Sequence, residues 1–210
     1  MDNFDNQNKE IEVQESEKKE LTGWKKELLE WAKAIVIAVV VATLLNQFVL
    51  KLARVSGNSM LPTLHDGEML YVNRLMYEPE KGDIIILKSE KTHGKAYIKR
   101  VIATEGDTVY IDFDNGDVYV NDEVIEEDYI KEPTHRGGSY INSLKINGNY
   151  SKDNPIVVEK DSVFVMGDNR NNSSDSREIG QVAEKDVMGH AVFRFWPLNN
   201  IGTLDYDAEN

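Results

Sequence analysis

The chain has 210 residues, room for one ordinary domain with attachments. Its 37 acidic and 24 basic residues give a net charge of -13, which argues against a general nucleic-acid binder. It contains no cysteine, so disulfides, thiolate catalysis and cysteine-based zinc sites are excluded.

Residues 1–20, MDNFDNQNKEIEVQESEKKE, carry many charges and few apolar side chains and read as a disordered tail. From Ala34 to Leu50 there are 17 consecutive residues without a charge, at the short end of what a membrane-spanning helix needs. Trp24 and Trp31, with Lys25, Lys26 and Lys33, flank that run as an interfacial anchor does. A buried core helix would show a polar stripe, and between Ile35 and Leu45 only Thr43 is polar. No small-residue cleavage site follows, so the run reads as an uncleaved anchor rather than a removed signal. Lys18, Lys19, Lys25, Lys26 and Lys33 lie before the run, against Lys51 and Arg54 after it. That asymmetry predicts a cytoplasmic tail at 1–23, a transmembrane anchor helix at 24–50 and an extracytoplasmic remainder at 51–210.

After residue 50 the texture becomes short β-rich runs between turn signals: MLYVNRL, GDIIIL, AYIKRVIA, DTVYIDF, GDVYVN, PIVVE, SVFVMGD and GHAVFRFW. No helical periodicity of useful length interrupts them. The predicted fold is therefore mainly β, a compact antiparallel assembly behind one N-terminal transmembrane helix. Asn115-Gly116, between alternating strands, is a strong hairpin signal. Residues 131–155 are rich in Gly, Ser and Asn and read as a long loop or projecting ribbon.

Most chemistry-bearing residues here have bland readings. His65, His93, His135 and His190 are scattered, with no metal-ligand spacing and no triad partner in sequence, and neither a metal nor a cofactor is implied. Ser16 and Lys19 match an S-x-x-K pattern but sit in the polar tail. Asn149 and Asn172 begin glycosylation-like triplets of a kind common by chance.

Ser59, in VSGNSMLPTLHDGEML, is different. Gly57 and Pro62 suit a turn, but a turn does not explain Ser59 and Met60 between them. Position 61 is Leu, so the G-x-S-x-G elbow is not met. The remaining route to an activated serine is a lysine whose pKa is depressed by burial or a nearby positive charge. Strand alternation puts Tyr97, Lys99, Val101 and Ala103 on one face, and Ala96, Ile98, Arg100 and Ile102 on the other. Each face carries one basic residue, so parity cannot choose between Lys99 and Arg100, but arginine stays protonated and is a poor base. Taken alone, the segment reads better as a half-exposed strand than as a catalytic one. The third segment, VFVMGDNRNNSSDSREIG, runs from a strand into residues 167–177, nearly all able to hydrogen-bond. Asp168, Arg170, Asp175 and Arg177 could form a charge network that makes this loop rigid.

Together, SGNSMLPTL from Ser56, YIKRVIATEGD from Tyr97 and GDNRNNSSDSR from Gly167 resemble bacterial type I signal peptidases. KGDIII from Lys81 looks like a further box of that family. The single anchor and short middle region look like the Gram-positive members. The resemblance implies a membrane-anchored Ser-Lys endopeptidase. Such an enzyme removes signal peptides from secreted preproteins after small residues at positions -1 and -3. It implies that 51–210 is the catalytic domain, with a cap or ribbon insertion at 107–160. It aligns Ser59 with the nucleophile and Lys99 with the general base. The Ser59 N–H aligns with an oxyanion donor, Ser173 with the serine that orients the lysine, and Asp175 and Arg177 with supporting residues. Met60 and Tyr97 align with substrate-contacting positions. The implied partners are preproteins and membrane lipid, with no nucleic acid. One position departs: where some members carry a serine whose hydroxyl completes the oxyanion hole, this chain has Gly57. The rival readings are a self-cleaving Ser-Lys repressor and a non-catalytic anchored β domain. The anchor argues against the first, and the second has no need of Ser59 and Lys99 together.

Overall fold

The computed structural model describes residues 24–43, 50–75, 77–135 and 151–204. Most of the expected ribbon at 131–155, and the polar tail at 1–23, lie outside these residues. The chain divides into two compact units after residue 47.

The first unit contributes one helix, α1, at residues 24–43. Its first three turns carry Lys25, Lys26, Glu27, Glu30 and Lys33, and its apolar run starts only at Ala34. Among the described residues no helix is long and apolar enough to cross a membrane. The uncharged stretch continues past the helix, but residues 44–49 lie outside the described ones, and Leu50 already belongs to a strand.

The second unit is antiparallel β throughout. Its main sheet contains β1 (Leu50–Arg54), β2 (Met69–Asn73), β3 (Ile84–Leu87), β4 (Tyr97–Ala103), β9 (Ser162–Met166), β10 (Val182–Ala183), β11 (Val187–Trp196) and β12 (Gly202–Thr203). They run in the order β1-β2-β11-β3-β4-β9-β10, with β12 pairing onto β11. A second sheet, in the order β7-β6-β5-β8, is built from β5 (Thr108–Asp112), β6 (Asp117–Val120), β7 (Glu123–Val124) and β8 (Ile156–Val157).

Alternation along the strands fills both faces of the main sheet. In β3, Ile84 and Ile86 enter one core with Val55, Met60, Leu64 and Leu70. Ile85 and Leu87 enter another with Val101, Val163 and Val165. A third core joins Ile102, Ala103, Phe164 and Met166 to Val109, Ile111, Val118 and Val120 of the second sheet. Register shifts in β11 and in β4 mark bulges, which bend strands and deepen their twist. The sheet curls so far that β1 and β4, with three strands between them in order, line the same groove.

Asn115-Gly116 does lie in the turn between β5 and β6, but not as a two-residue turn. The last pair is Asp112 with Asp117, leaving four residues in the loop. Gly116 takes a φ of +87° at its end and packs under Pro133, where a Cβ would stand 2.5 Å from the proline Cβ. The distant Pro133 segment is tied to this loop, with the Thr134 N–H donating to the Gly116 carbonyl at 3.1 Å.

Candidate active site

The segment after β1 closes on itself before returning as β2. Across its neck the Val55 N–H donates to the Glu68 carbonyl and the Gly67 N–H donates to the Val55 carbonyl, while the Asp66 carboxylate accepts the Gly57 N–H at 2.8 Å. Gly57 holds a φ of +88°, a backbone conformation glycine adopts without strain. Met60 and Leu64 turn into the core beneath, fully buried. Anchored this way, Ser59 stays half-buried at the surface of the unit.

Lys99 arrives from β4. Its ammonium donates to Ser59 Oγ at 2.8 Å and to the Ile98 carbonyl at 2.8 Å. The side chain is 3% exposed, and Nζ lies 5.2 Å from the centre of the Tyr97 ring. Burial disfavours the charged form and pulls its pKa down to about 8; Asp175 and Asp168 oppose the drop and Arg177 assists it. Arg100, one residue on, faces the other way. Its guanidinium forks onto Asp168 at 2.9 and 2.7 Å, donates to the Gly82 carbonyl and stacks on the Tyr129 ring. Strand direction thus settles in space what parity leaves open: the lysine meets Ser59 and the arginine meets an acid.

The polar loop after β9 holds both partners. Asn169 donates its backbone N–H to the Ser59 carbonyl at 3.0 Å and its amide to the Asn58 carbonyl at 2.9 Å. Asp168 accepts from Thr63 as well as Arg100, so it ties the serine segment to β4. Asp175 is wholly buried. It accepts the Gly167 N–H at 2.9 Å and the Arg177 guanidinium at 2.8 and 2.7 Å, and it caps the short helix α2 (Ser176–Ile179). Burial pushes its carboxyl up, but Arg177 and Gly167 offset this and hold it below the ordinary carboxylate range. Gly167 has no room for a side chain. A Cβ there would stand 2.5 Å from the Ser59 carbonyl oxygen and 2.7 Å from the Ser173 Cβ, with the Ser173 Oγ closer still.

The expected bond from Ser173 to Lys99 is not made in this structure. Ser173 Oγ is enclosed beside Gly167 and bears on the Asp175 carboxylate rather than on the lysine, which the Ile98 carbonyl orients instead. The Ser59 N–H donates to no group among the described residues, so it is open to an incoming oxygen. The Gly57 N–H is already taken by Asp66 and cannot be a second donor. Met60 and Tyr97 both line the groove in front of Ser59, Met60 from its buried floor.

Sequence reasoning passes over Asp66, Thr63 and Asn169. Asn169 was legible in kind, as part of a loop dense in hydrogen-bonding side chains. Asp66 and Thr63 sit within the serine segment without any local sign of their distant partners. None of the four histidines lines the groove.

The groove itself has a volume of about 700 Å³ and runs between β1 and the start of β4. β9 pairs with β4 only from Arg100 onward, so the edge of Tyr97–Lys99 facing away from β3 is unpaired and open to an extended chain.

Residues 28–196 match the family described as signal peptidase, peptidase S26. Signal peptidase I of Bacillus licheniformis is 39% identical over 188 residues, covering 88% of this chain and 97% of that protein. Signal peptidase I T of Bacillus subtilis is 40% identical over 179 residues, covering 82% and 88% respectively. Signal peptidase IB of Staphylococcus aureus is 35% identical over 192 residues, covering 89% and 98%. A crystal structure of a signal peptidase I from Enterococcus faecalis aligns with 54% of this chain and 97% of its own, at 30% identity and a TM-score of 0.39. The family match and the three relatives over most of their length make the assignment: the chain belongs to the signal peptidase family, peptidase S26, and is a serine endopeptidase.

Proposed function

We propose that the protein removes signal peptides from exported preproteins with Ser59 as nucleophile and Lys99 as general base. The observation that carries this reading is the 2.8 Å contact between Lys99 Nζ and Ser59 Oγ, made by a buried lysine whose pKa falls to about 8. In its neutral form the amine takes the Ser59 proton while one N–H keeps its bond to the Ile98 carbonyl. Ser59 Oγ attacks the carbonyl of substrate residue -1, and the developing oxyanion meets the Ser59 N–H. Lys99 then gives its proton to the leaving amine. Water, activated by the same lysine, hydrolyses the acyl-enzyme.

The substrate enters as an extended strand between β1 and Tyr97–Lys99, where backbone pairing supplies affinity and side-chain depth supplies selection. Met60 forms part of the floor, and Tyr97 part of the wall, that admit only small side chains at -1 and -3. Asp175 and Arg177 support the loop that holds Ser59, and Ser173 packs behind it. The uncharged run from Ala34 to Leu50 anchors the chain in the membrane, with the tail at 1–23 cytoplasmic and the β unit from 51 extracytoplasmic. The exposed Trp196, Leu198 and Ile201 give that unit an apolar edge suited to a lipid surface.

The test is incubation of the purified chain with a preprotein bearing an Ala-x-Ala site. Cleavage after the second alanine, abolished in Ser59→Ala, is the expected result. Cleavage that persists in Ser59→Ala, or none in wild type, would overturn the assignment.

A further inference from the structure

The chain is acidic, yet the groove in front of Ser59 is not. Lys51, Arg54, Arg74 and Lys95 line it together with Lys99, and no aspartate or glutamate does. All four outer cations are exposed, and none forms an ion pair among the described residues. In a protein with 37 acids to 24 bases, a groove whose only charges are positive is not what composition alone would place there.

Three of these cations, Lys51, Arg74 and Lys95, sit near the strand starts that border the groove. Leu50 pairs with Asn73, so Lys51 and Arg74 both flank the beginning of β1. Arg74 Nε donates to the Met188 carbonyl at 3.2 Å, which holds its guanidinium against the wall near β11. Through β11, β3 and β4 the register carries Asn73 to Lys99 and so brings Arg74 level with Ile98, and Lys95 precedes Ile98 by three residues. Lys95 is four residues before Lys99, roughly 13 Å along an extended chain. Lys51 likewise lies upstream of the serine segment. Lys51 and Lys95 thus lie upstream of Ser59 and Lys99 along the two strands that flank the groove.

We propose that this part of the groove is a subsite for a carboxylate on the substrate, about four to six residues before the cleaved bond. Arg74 and Lys95 are its main ligands, with Lys51 at its margin. The proposal rests on the reading above, in which the signal-peptide side of the substrate lies along β1 and Tyr97–Lys99. A Glu or Asp there meets several unpaired cations; a Lys or Arg there meets only repulsion. Because the cations are exposed, each contributes modestly and is screened by salt.

The experiment uses the full chain in a neutral detergent and three peptides sharing one Ala-x-Ala site, with Gln, Glu or Lys placed five residues upstream. At low salt, kcat/KM should rank Glu above Gln above Lys, with the extremes differing by about tenfold. The spread should shrink in about 0.5 M salt. The double variant Arg74→Glu with Lys95→Glu should invert the ranking. Cleavage of the Gln peptide by each protein reports folding and the underlying activity separately. Equal rates on all three peptides, or a ranking unchanged by the double variant, would overturn the subsite and leave the peptidase assignment intact. Equal peptide rates combined with stimulation by anionic but not neutral vesicles would also overturn it, and would assign the cations to lipid headgroups. Failure to cleave even the Gln peptide would sink the peptidase reading and this one with it.

Discussion

At the scale of single residues, Lys99 combines the features a basic side chain needs to act as a base. It is buried to 3% exposure, and desolvation brings its pKa to about 8. Activity on a short peptide should therefore rise with pH through about 8 as the amine loses its proton. A rate profile flat from about pH 5 to about pH 9 would contradict a lysine base. The same depression predicts a stability effect with a definite sign. Between pH 8 and 10.5 the unfolded lysine holds a proton that the folded one has released, so wild-type stability rises with pH across that window. Lys99→Met removes the buried cation, and should abolish cleavage while making the fold about 1–3 kcal/mol more stable near pH 7. Its stability should lack the rise above pH 8. Denaturant titrations at pH 7 and pH 10 measure both; a variant less stable than wild type at pH 7 would count against a penalised buried charge.

At the scale of elements, the turn after β9 brings the parts together. Its Gly167 packs against the Ser59 carbonyl with no room for a side chain, and its Asn169 holds the carbonyls of Asn58 and Ser59. Gly167→Ala should push Ser59 away from Lys99. A displacement of this order in a catalytic group costs roughly a hundredfold in rate. The expected signature is a fall in kcat with far-ultraviolet circular dichroism unchanged. Near-wild-type kcat would mean that the Ser59 carbonyl can move without disturbing the hydroxyl. Asp168 serves a second tie, between β4 through Arg100 and the serine segment through Thr63. Asp168→Asn removes the carboxylate onto which the buried Arg100 forks and should cost about 3–5 kcal/mol of stability, read as a lowered denaturant midpoint.

At the scale of the whole molecule, the three cores draw their residues, among the described ones, from Ala53 to Leu204 and none from α1. A chain starting at residue 48 should consequently fold alone, unfold within a few degrees of the full chain and still cleave a soluble Ala-x-Ala peptide. Loss of the cooperative transition on truncation would show that the first unit takes part in the fold. Much of this organisation is legible in sequence because it follows from local pattern. Strand alternation and turn residues give a mainly β domain, and the uncharged run marks off the N-terminal segment. Three polar motifs nominate Ser59, Lys99 and the loop from Gly167 to Arg177. By itself the sequence determines which side chains can do the chemistry, since only certain groups can be nucleophile or neutral base. Tertiary structure alone decides which of Lys99 and Arg100 meets Ser59, that Asp66 takes the Gly57 N–H, and that four distant cations share one groove. Those outcomes depend on register and sheet curl between strands far apart in the chain, and no local pattern encodes a distance between them.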